Sequence, residues 1–283
     1  DNKFALFLLG GIALDDRPIG VFDSGLGGLT TVRELCRLLP EEDIVYFGDT
    51  GRVPYGSRSR ETIVKYARQD VAFLRTFDLK AIVIACGTVS TTALDVLAAE
   101  NPIPVLGVVA PAARAAARAT RSGSIGLIGT QASIRSGAYE RLIRAENPAA
   151  RVLAQPCPLF VPLVENGRFR PGDVVIETVA AEYLAPLKAA GVDTLVLGCT
   201  HYPLLEKVIG AYMGPEVRLI NSGAEGARAA ADCLRERDAL AGPGRGSCRC
   251  FVSDRQEDFS RLASTFLGWD VAQAVEQVDI SQY

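Results

Sequence analysis

The amino-acid sequence predicts an α/β protein made of two similar domains, each a parallel sheet covered by helices. Short apolar runs alternate with longer amphipathic segments, which is the pattern of strands and helices in such sheets. Similar peptides recur in the two halves of the chain. At 283 residues, the chain also exceeds the size at which one hydrophobic core usually keeps growing. We therefore expect two cores.

The order of the predicted elements follows from these patterns. Apolar runs typical of buried strands occur at residues 19–22, 44–47, 81–85, 105–109, 124–128, 151–154, 194–198 and 217–220. Helical patterns lie between them at residues 29–39, 59–77, 91–101, 112–119, 136–146, 171–190 and 202–213. A helix near 225–237, a link at 241–246 and a short strand near 249–253 follow, and the 273–283 tail has too weak a pattern to assign.

A weak internal repeat indicates where the chain divides. Residues 19–24 (IGVFDS) resemble 125–130 (IGLIGT), and residues 81–86 (AIVIAC) resemble 194–199 (TLVLGC). We predict two domains related by pseudo-twofold symmetry, residues 17–111 with 221–283 in the first and residues 112–220 in the second. Each half then presents a cysteine at the C-terminal end of a strand, and the two thiols face the cleft between domains, where ligands usually bind.

Charge and cysteine content exclude several classes of partner. The net charge of −3 and the pI near 5.4 argue against a general affinity for nucleic acid or an anionic membrane surface. Seven cysteines, none in a CxxC pair, in a chain without a secretory signal indicate reduced thiols and a cytoplasmic protein. Cys248 and Cys250 form an isolated CxC, and with one histidine in the chain no metal site is predicted.

The N-terminal segment is set apart from the organised sequence. Its apolar stretch, residues 4–14, is too short to span a bilayer, and no basic region precedes it. We interpret residues 1–16 as a leader or extension, with an added edge strand as the alternative.

Cys86 and Cys199 are the candidate catalytic pair. A single cysteine after an apolar strand is more often a small buried apolar residue than a catalyst. Here both cysteines stand at strand ends before small or hydroxyl residues and a predicted helix, whose N–H groups and dipole favour a thiolate. Packing alone rarely produces the same placement twice, so we expect two opposed thiols that act as acid and base.

Three further side chains are candidate proton partners. His201, the one histidine of the chain, comes two residues after Cys199, where an imidazole can exchange a proton with the thiol or hold a thiolate. Asp23 opens a glycine-rich turn that either caps the next helix or places the carboxylate beside Cys86. Glu165 lies in a predicted loop. It is either an exposed carboxylate without a function or the proton partner of Cys199, as Asp23 would be for Cys86.

The motifs that carry these residues resemble the glutamate racemase branch of the aspartate/glutamate racemase family. They are DSGLGGLT at 23–30, FGDTGRVPYG at 47–56, IACGTVS at 84–90, IGTQASIRSGAY at 128–139, FVPLVENG at 160–167 and LGCTHYPLL at 197–205. The resemblance runs from about residue 19 to residue 267, in the family's order, and the first and last motifs are the most specific.

The resemblance implies a cofactor-independent enzyme that interconverts L- and D-glutamate and supplies the D-isomer for peptidoglycan in the bacterial cytoplasm. It implies that Cys86 and Cys199 are the two bases, Asp23 the proton partner of the first, and Glu165 and His201 those of the second. Substrate-binding positions implied by the motifs are Asp23, Ser24, Tyr55, Gly56, Gly87, Thr88, Thr130, Thr200 and His201. No metal is implied, and a homodimer is left open.

One position departs from the family. The residue after the first cysteine is normally Asn, whose amide offers donors and an acceptor, and here it is Gly87. We expect a hole at this point and a loss of about 1.5–3 kcal/mol of binding, part of which a water could restore. Two alternatives follow: a racemase for another small acidic amino acid such as aspartate, or a catalytically weakened α/β binding protein.

Overall fold

The computed structural model describes residues 14–269 and 275–283 and contains two parallel β-sheets flanked by helices. The strands are β1 (Ile19–Asp23), β2 (Ile44–Gly48), β3 (Ala81–Ile84), β4 (Val105–Gly107), β5 (Ser124–Gly129), β6 (Arg151–Pro156), β7 (Thr194–Leu197), β8 (Arg218–Asn221), β9 (Cys248–Val252) and β10 (Val275–Gln277).

The helices lie between these strands and cover the sheets. They are α1 (Leu29–Leu38), α2 (Arg60–Leu74), α3 (Gly87–Thr92), α4 (Leu94–Glu100), α5 (Val109–Ala119), α6 (Gln131–Arg135), α7 (Ala138–Glu146), α8 (Phe160–Glu165), α9 (Val174–Ala189), α10 (Glu206–Met213), α11 (Ser222–Glu236) and α12 (Gln256–Leu267). Short 3₁₀ helices cover Tyr55–Ser57, Tyr202–Leu205 and Ile280–Gln282. No helix of residues 14–269 and 275–283 is long and apolar enough to cross a membrane.

The two sheets share one strand order. The first sheet runs β10-β9-β2-β1-β3-β4 and the second runs β6-β5-β7-β8, so β2-β1-β3-β4 matches β6-β5-β7-β8. Ile19 of β1 stands opposite Ala81 of β3, and Ile125 of β5 stands opposite Thr194 of β7. The peptides that repeat in the sequence therefore occupy matching strands in matching register. The predicted α/β class with two similar parallel sheets is confirmed.

The central strands are buried along their whole length. Every residue of β1, β2, β3 and β7 is buried, which is expected when helices pack on both faces of a parallel sheet. Each fully buried Val, Leu or Ile side chain contributes about 1.5–3 kcal/mol to folding. The strand ends therefore belong to a buried, well-packed sheet. The segments that follow those ends carry the candidate residues.

Several predicted boundaries and elements are wrong. The predicted helix 91–101 is two helices, α3 and α4. Helix α3 begins earlier than predicted, directly after Cys86. The predicted strand 105–109 ends at Gly107, and α5 begins at Val109. Glu165 ends helix α8 rather than lying in a loop. Helix α12 and strand β10 were not predicted, and β9 and β10 extend the first sheet. The domain boundaries stay a prediction.

The interpretation of the N-terminal segment falls mostly outside the described residues, since residues 1–13 are not described. Residues 14–18 form no strand. The backbone N–H of Asp15 donates to the carbonyl of Leu240 at 3.1 Å, and the Lys80 ammonium donates to the carbonyl of Asp15 at 2.6 Å. This stretch therefore lies against the body of the protein.

Candidate active site

A cavity of about 370 Å³ opens between the C-terminal ends of the two sheets, and both candidate cysteines line it. Cys86 follows β3 and Cys199 follows β7, the matching strands of the two sheets. The other predicted site residues on its wall are Ser24, Tyr55, Gly56, Gly87, Thr88, Thr130, Glu165, Thr200 and His201. Asp23 lies behind this wall, at the end of β1. The structure therefore brings the predicted residues together, although their roles stay a prediction.

Cys86 lies close to an acidic side chain and a hydroxyl group. Its thiol donates to the Ser24 hydroxyl at 3.3 Å. Burial, reinforced by the nearby Asp23 carboxylate, raises the pKa of Cys86 to about 12. Without a substrate, Cys86 is therefore a neutral thiol at neutral pH, ready to donate a proton.

Asp23 is almost fully buried beside this thiol. Its Oδ2 accepts a hydrogen bond from the backbone N–H of Gly25 at 3.1 Å. Its Oδ1 has no hydrogen-bond partner among the described residues. Burial raises the pKa of this carboxyl, while the charge of His201 acts in the opposite direction. An unpartnered oxygen with a raised pKa suits a group that holds or passes a proton.

Cys199 lies instead beside a charged pair. Its sulfur is 3.9 Å from Nδ1 of His201, and Nε2 of His201 is 3.0 Å from Oε1 of Glu165. Burial opposes the charged imidazole, but the hydrogen bonds to Cys199 and Glu165 outweigh it and raise the pKa of His201 to about 10. The sulfur of Cys199 therefore has a protonated imidazole as its neighbour.

Hydroxyl groups join the two halves across the cavity. The hydroxyls of Thr88 and Thr130 are 3.0 Å apart. The Thr30 hydroxyl donates to the carbonyl of Thr200 at 2.9 Å. Thr130 also caps α6, because its hydroxyl accepts from the backbone N–H of Ser133 at 3.3 Å. These contacts hold the two strand ends close together.

The hydroxyl of Tyr55 is engaged by two buried carboxylates, and the expected substrate-binding role of this residue stays a prediction. It donates to the buried Asp49 and lies 3.1 Å from Oδ2 of the buried Asp70. Arg52 binds the same two carboxylates at 2.6 and 2.8 Å. Burial, reinforced by the charge of Asp49, raises the pKa of Asp70. Tyr55 therefore lines the cavity while its hydroxyl anchors the loop that carries it.

The expected hole at Gly87 is filled by backbone. A Cβ placed on Gly87 would lie 2.7 Å from the carbonyl oxygen of Gly198, the residue before Cys199. Real Cβ atoms do not come this close to another heavy atom, so a side chain here requires the Cys199 strand end to move. Glycine at position 87 allows the backbone after Cys86 to lie this close to the Gly198 carbonyl before Cys199.

Sequence reasoning missed several residues of the cavity wall, among them Gln131, Cys157 and Val161. Cys157 follows β6, so the strand-end position that identified the other thiols was also available for it. Gln131 follows Thr130 in a motif that the sequence contains. His201 is the one basic side chain on the described wall, so an anionic ligand depends on backbone N–H groups, hydroxyls and this imidazole.

Comparison with known proteins gives a consistent result. A model of the Asp/Glu/hydantoin racemase family matches residues 22–230. A glutamate racemase of Geobacter metallireducens is 49% identical over 253 residues, which cover 89% of this chain and 93% of that protein.

Two crystal structures show the same overall fold. A glutamate racemase isoform from Bacillus anthracis superposes with a TM-score of 0.88 at 39% identity, over 93% of this chain and 97% of that one. A glutamate racemase from Francisella tularensis, solved in complex with D-glutamate, superposes with a TM-score of 0.88 at 38% identity, over 95% of this chain and 100% of that one.

Proposed function

Because the chain belongs to the Asp/Glu/hydantoin racemase family, we propose that it interconverts L- and D-glutamate by proton transfer at Cα between Cys86 and Cys199. It is an isomerase that needs no cofactor for this step. One observation carries the proposal: the two thiols stand at matching strand ends and line the same cavity. Inverting a carbon requires one group on each of its faces, and this arrangement supplies both.

The resting enzyme is poised for one direction. The imidazolium of His201 stabilises a thiolate at Cys199, and this thiolate removes the Cα proton. The Cys86 thiol then gives its proton to the opposite face of the same carbon. The product leaves with inverted configuration, Cys199 holds the abstracted proton and Cys86 is a thiolate. The reverse reaction starts from that form.

The negative charge that builds up at Cα and its carboxylate needs stabilisation. Hydrogen-bond donors fixed in place before the reaction supply it, because they cost no reorganisation when the charge develops. Thr88 and Thr130, which line the cavity near the starts of α3 and α6, are the candidates for this role. Asp23 and Glu165 act through the thiols and His201.

The cavity also limits the substrate. Its volume of about 370 Å³ lies near the lower end of the range for small-molecule sites. Glutamate exceeds aspartate by one methylene, and such a difference contributes only about 1–3 kcal/mol to discrimination. The sequence relatives favour glutamate, and a panel of glutamate and aspartate enantiomers tests that choice.

The deciding experiment is Cα exchange in D2O, followed by ¹H NMR with D- and L-glutamate under reducing conditions. We expect loss of the Cα proton signal together with racemisation. Glutamate binding without exchange would instead identify a catalytically idle binding protein, and racemisation without solvent exchange would exclude the two-thiol mechanism. Exchange of aspartate alone would move the chain to the other substrate.

The cellular role follows from the reaction. We propose that the chain works in the cytoplasm and supplies D-glutamate for peptidoglycan. Light scattering of the purified protein decides between a monomer and a homodimer.

A further inference from the structure

A second cavity, of about 580 Å³, lies beside the mouth of the active-site cleft and is lined by four arginines. We propose that this arginine pocket, defined by Arg58, Arg60, Arg135 and Arg141, binds a small anion carrying more than one phosphoryl group. The proposal goes beyond racemisation, because no step of the reaction uses these residues.

The four guanidinium groups come from separate elements. Arg58 follows the 3₁₀ turn at Tyr55–Ser57, and Arg60 begins α2. Arg135 ends α6, and Arg141 lies in α7, where its guanidinium donates to the carbonyl of Ser136 at 2.6 Å. Four cations gathered from two distant parts of the chain attract an anion to this cavity.

The described residues supply little of that neutralisation. Asp95 is the one carboxylate in the pocket wall, and it lies 3.7 Å from Arg60, with both side chains more than half exposed. An exposed pair of this kind contributes at most about 1 kcal/mol. Arg58 and Arg135 form no side-chain hydrogen bond or ion pair with any described residue. The four arginines are exposed, and the pocket wall carries four guanidinium groups against one carboxylate.

The chemistry of the wall identifies the ligand class. A guanidinium presents two parallel N–H donors that match the oxygens of a phosphoryl group, and several such forks favour an anion with several charges. A volume of about 580 Å³ accommodates a ligand much larger than a single phosphate. An acidic amino acid would leave most of the four cations without a partner.

The pocket shares three chain segments with the active site. Ser57, Thr88 and Gln131 line the active-site cleft, and the arginine pocket begins a few residues further along each of the same segments. The segments with Arg58 and α3 belong to the first sheet's half, and α6 and α7 belong to the second. A bound polyanion therefore contacts both halves at the mouth of the cleft.

The test measures binding of inorganic pyrophosphate to the full chain by calorimetry at constant ionic strength. We expect saturable one-to-one binding and a raised thermal unfolding midpoint. In the double variant Arg135→Gln with Arg141→Gln, affinity falls by about tenfold or more, because two charge-assisted contacts are lost. The control Arg144→Gln removes a charge from the same helix α7 outside the pocket and leaves affinity within about twofold.

Three results would overturn the proposal. They are no saturable binding of pyrophosphate, an equal loss in the Arg144→Gln control, and citrate bound as tightly as pyrophosphate. If the arginines only attract glutamate to the cleft, the double variant lowers kcat/KM in a salt-dependent way while pyrophosphate fails to saturate. Since binding is measured without turnover, the outcome is independent of the racemase assignment.

Discussion

The two cysteine-bearing segments share a backbone plan but differ in their electrostatics. Cys86 is buried close to the Asp23 carboxyl, and burial together with that charge raises its pKa to about 12 and keeps it a neutral thiol. Cys199 lies against His201, which Glu165 keeps positively charged. The two sheets place the two thiols at matching strand ends, and the neighbours of those thiols differ in charge. Symmetric placement and asymmetric charge are both required of an acid and a base that work together.

Removing either thiol should have the largest effect on racemisation, because the proposed mechanism needs both. We expect Cys86→Ser and Cys199→Ser each to lower kcat/KM for racemisation by about 10³-fold or more, because a serine hydroxyl is too weak an acid and base for the transfer. Circular dichroism of glutamate solutions measures the rate. Cys233→Ser, a thiol in α11 outside the cavity, is the control and should match the parent protein. Near-normal turnover in either active-site variant would refute the two-thiol proposal.

Removing the carboxylate beside His201 should reduce the difference in charge between the surroundings of Cys199 and those of Cys86. In Glu165→Gln the imidazolium loses its anionic partner, so its pKa falls from about 10 toward the ordinary value. If activity needs this cation, kcat/KM declines as pH rises through the pKa of His201. The alkaline decline therefore begins at lower pH in the variant, and the rate at pH 8 falls by about tenfold or more.

A pH profile from 6 to 11 measures this shift. Ser24→Ala changes a neighbour of Cys86 and leaves His201 untouched. It should not shift the pH at which kcat/KM declines on the alkaline side. An unshifted limb in Glu165→Gln would show that His201 does not act as the cation at Cys199.

Adding a Cβ at Gly87 tests how closely the two sides must approach. Because the Cβ would meet the Gly198 carbonyl, we expect Gly87→Ala to displace Cys199 and to lower kcat/KM by about tenfold. Gly87→Asn adds the amide that the family normally has, so comparing it with Gly87→Ala separates the cost of the Cβ from the benefit of the amide. Gly210→Ala, whose Cβ makes only an ordinary contact with Leu219, is the control. Full activity in Gly87→Ala would show that the approach is not limiting.

The anchor under the Cys86 side should matter for stability more than for turnover. Tyr55→Phe removes a hydroxyl shared by the buried Asp49 and Asp70, which costs about 1–3 kcal/mol in the free energy of unfolding. Urea unfolding at pH 7 measures the loss, and kcat/KM changes only a few-fold. Tyr66→Phe is the control, since the Tyr66 hydroxyl forms no hydrogen bond within the described part of the chain. An equal loss of unfolding free energy in both variants would contradict the anchoring role of the Tyr55 hydroxyl.

The strand ends were the most predictable part of the site. Buried parallel strands give continuous apolar runs, so the sequence located Cys86 and Cys199 directly. Helix α8 was not predicted, and it contains Pro162. Proline is tolerated in the first helical turn, where its missing N–H has no intrahelical partner in any case.

Contacts between distant segments were not predictable in the same way. The partners of the Tyr55 hydroxyl lie 6 and 15 residues away in sequence, and only the folded chain shows that they meet. The Gly198 carbonyl beside Gly87 depends on how the two sheets face each other. The sequence therefore predicted which residues gather at the cleft better than it predicted what each side chain touches.

The one-sided His201–Glu165 pair has a thermodynamic consequence for a racemase. Enantiomers have equal free energies in water, so kcat/KM must be equal in the two directions whatever the protein does to either thiol. The pair cannot favour one enantiomer; it favours one protonation form of the empty enzyme. In the proposed two-thiol mechanism, each turnover leaves the enzyme in the opposite form, so two successive conversions in the same direction require a proton to return to Cys86 from Cys199 or from solvent. This reset is a proton transfer in the empty enzyme, separate from the chemistry at Cα, and the symmetric fold alone does not reveal it.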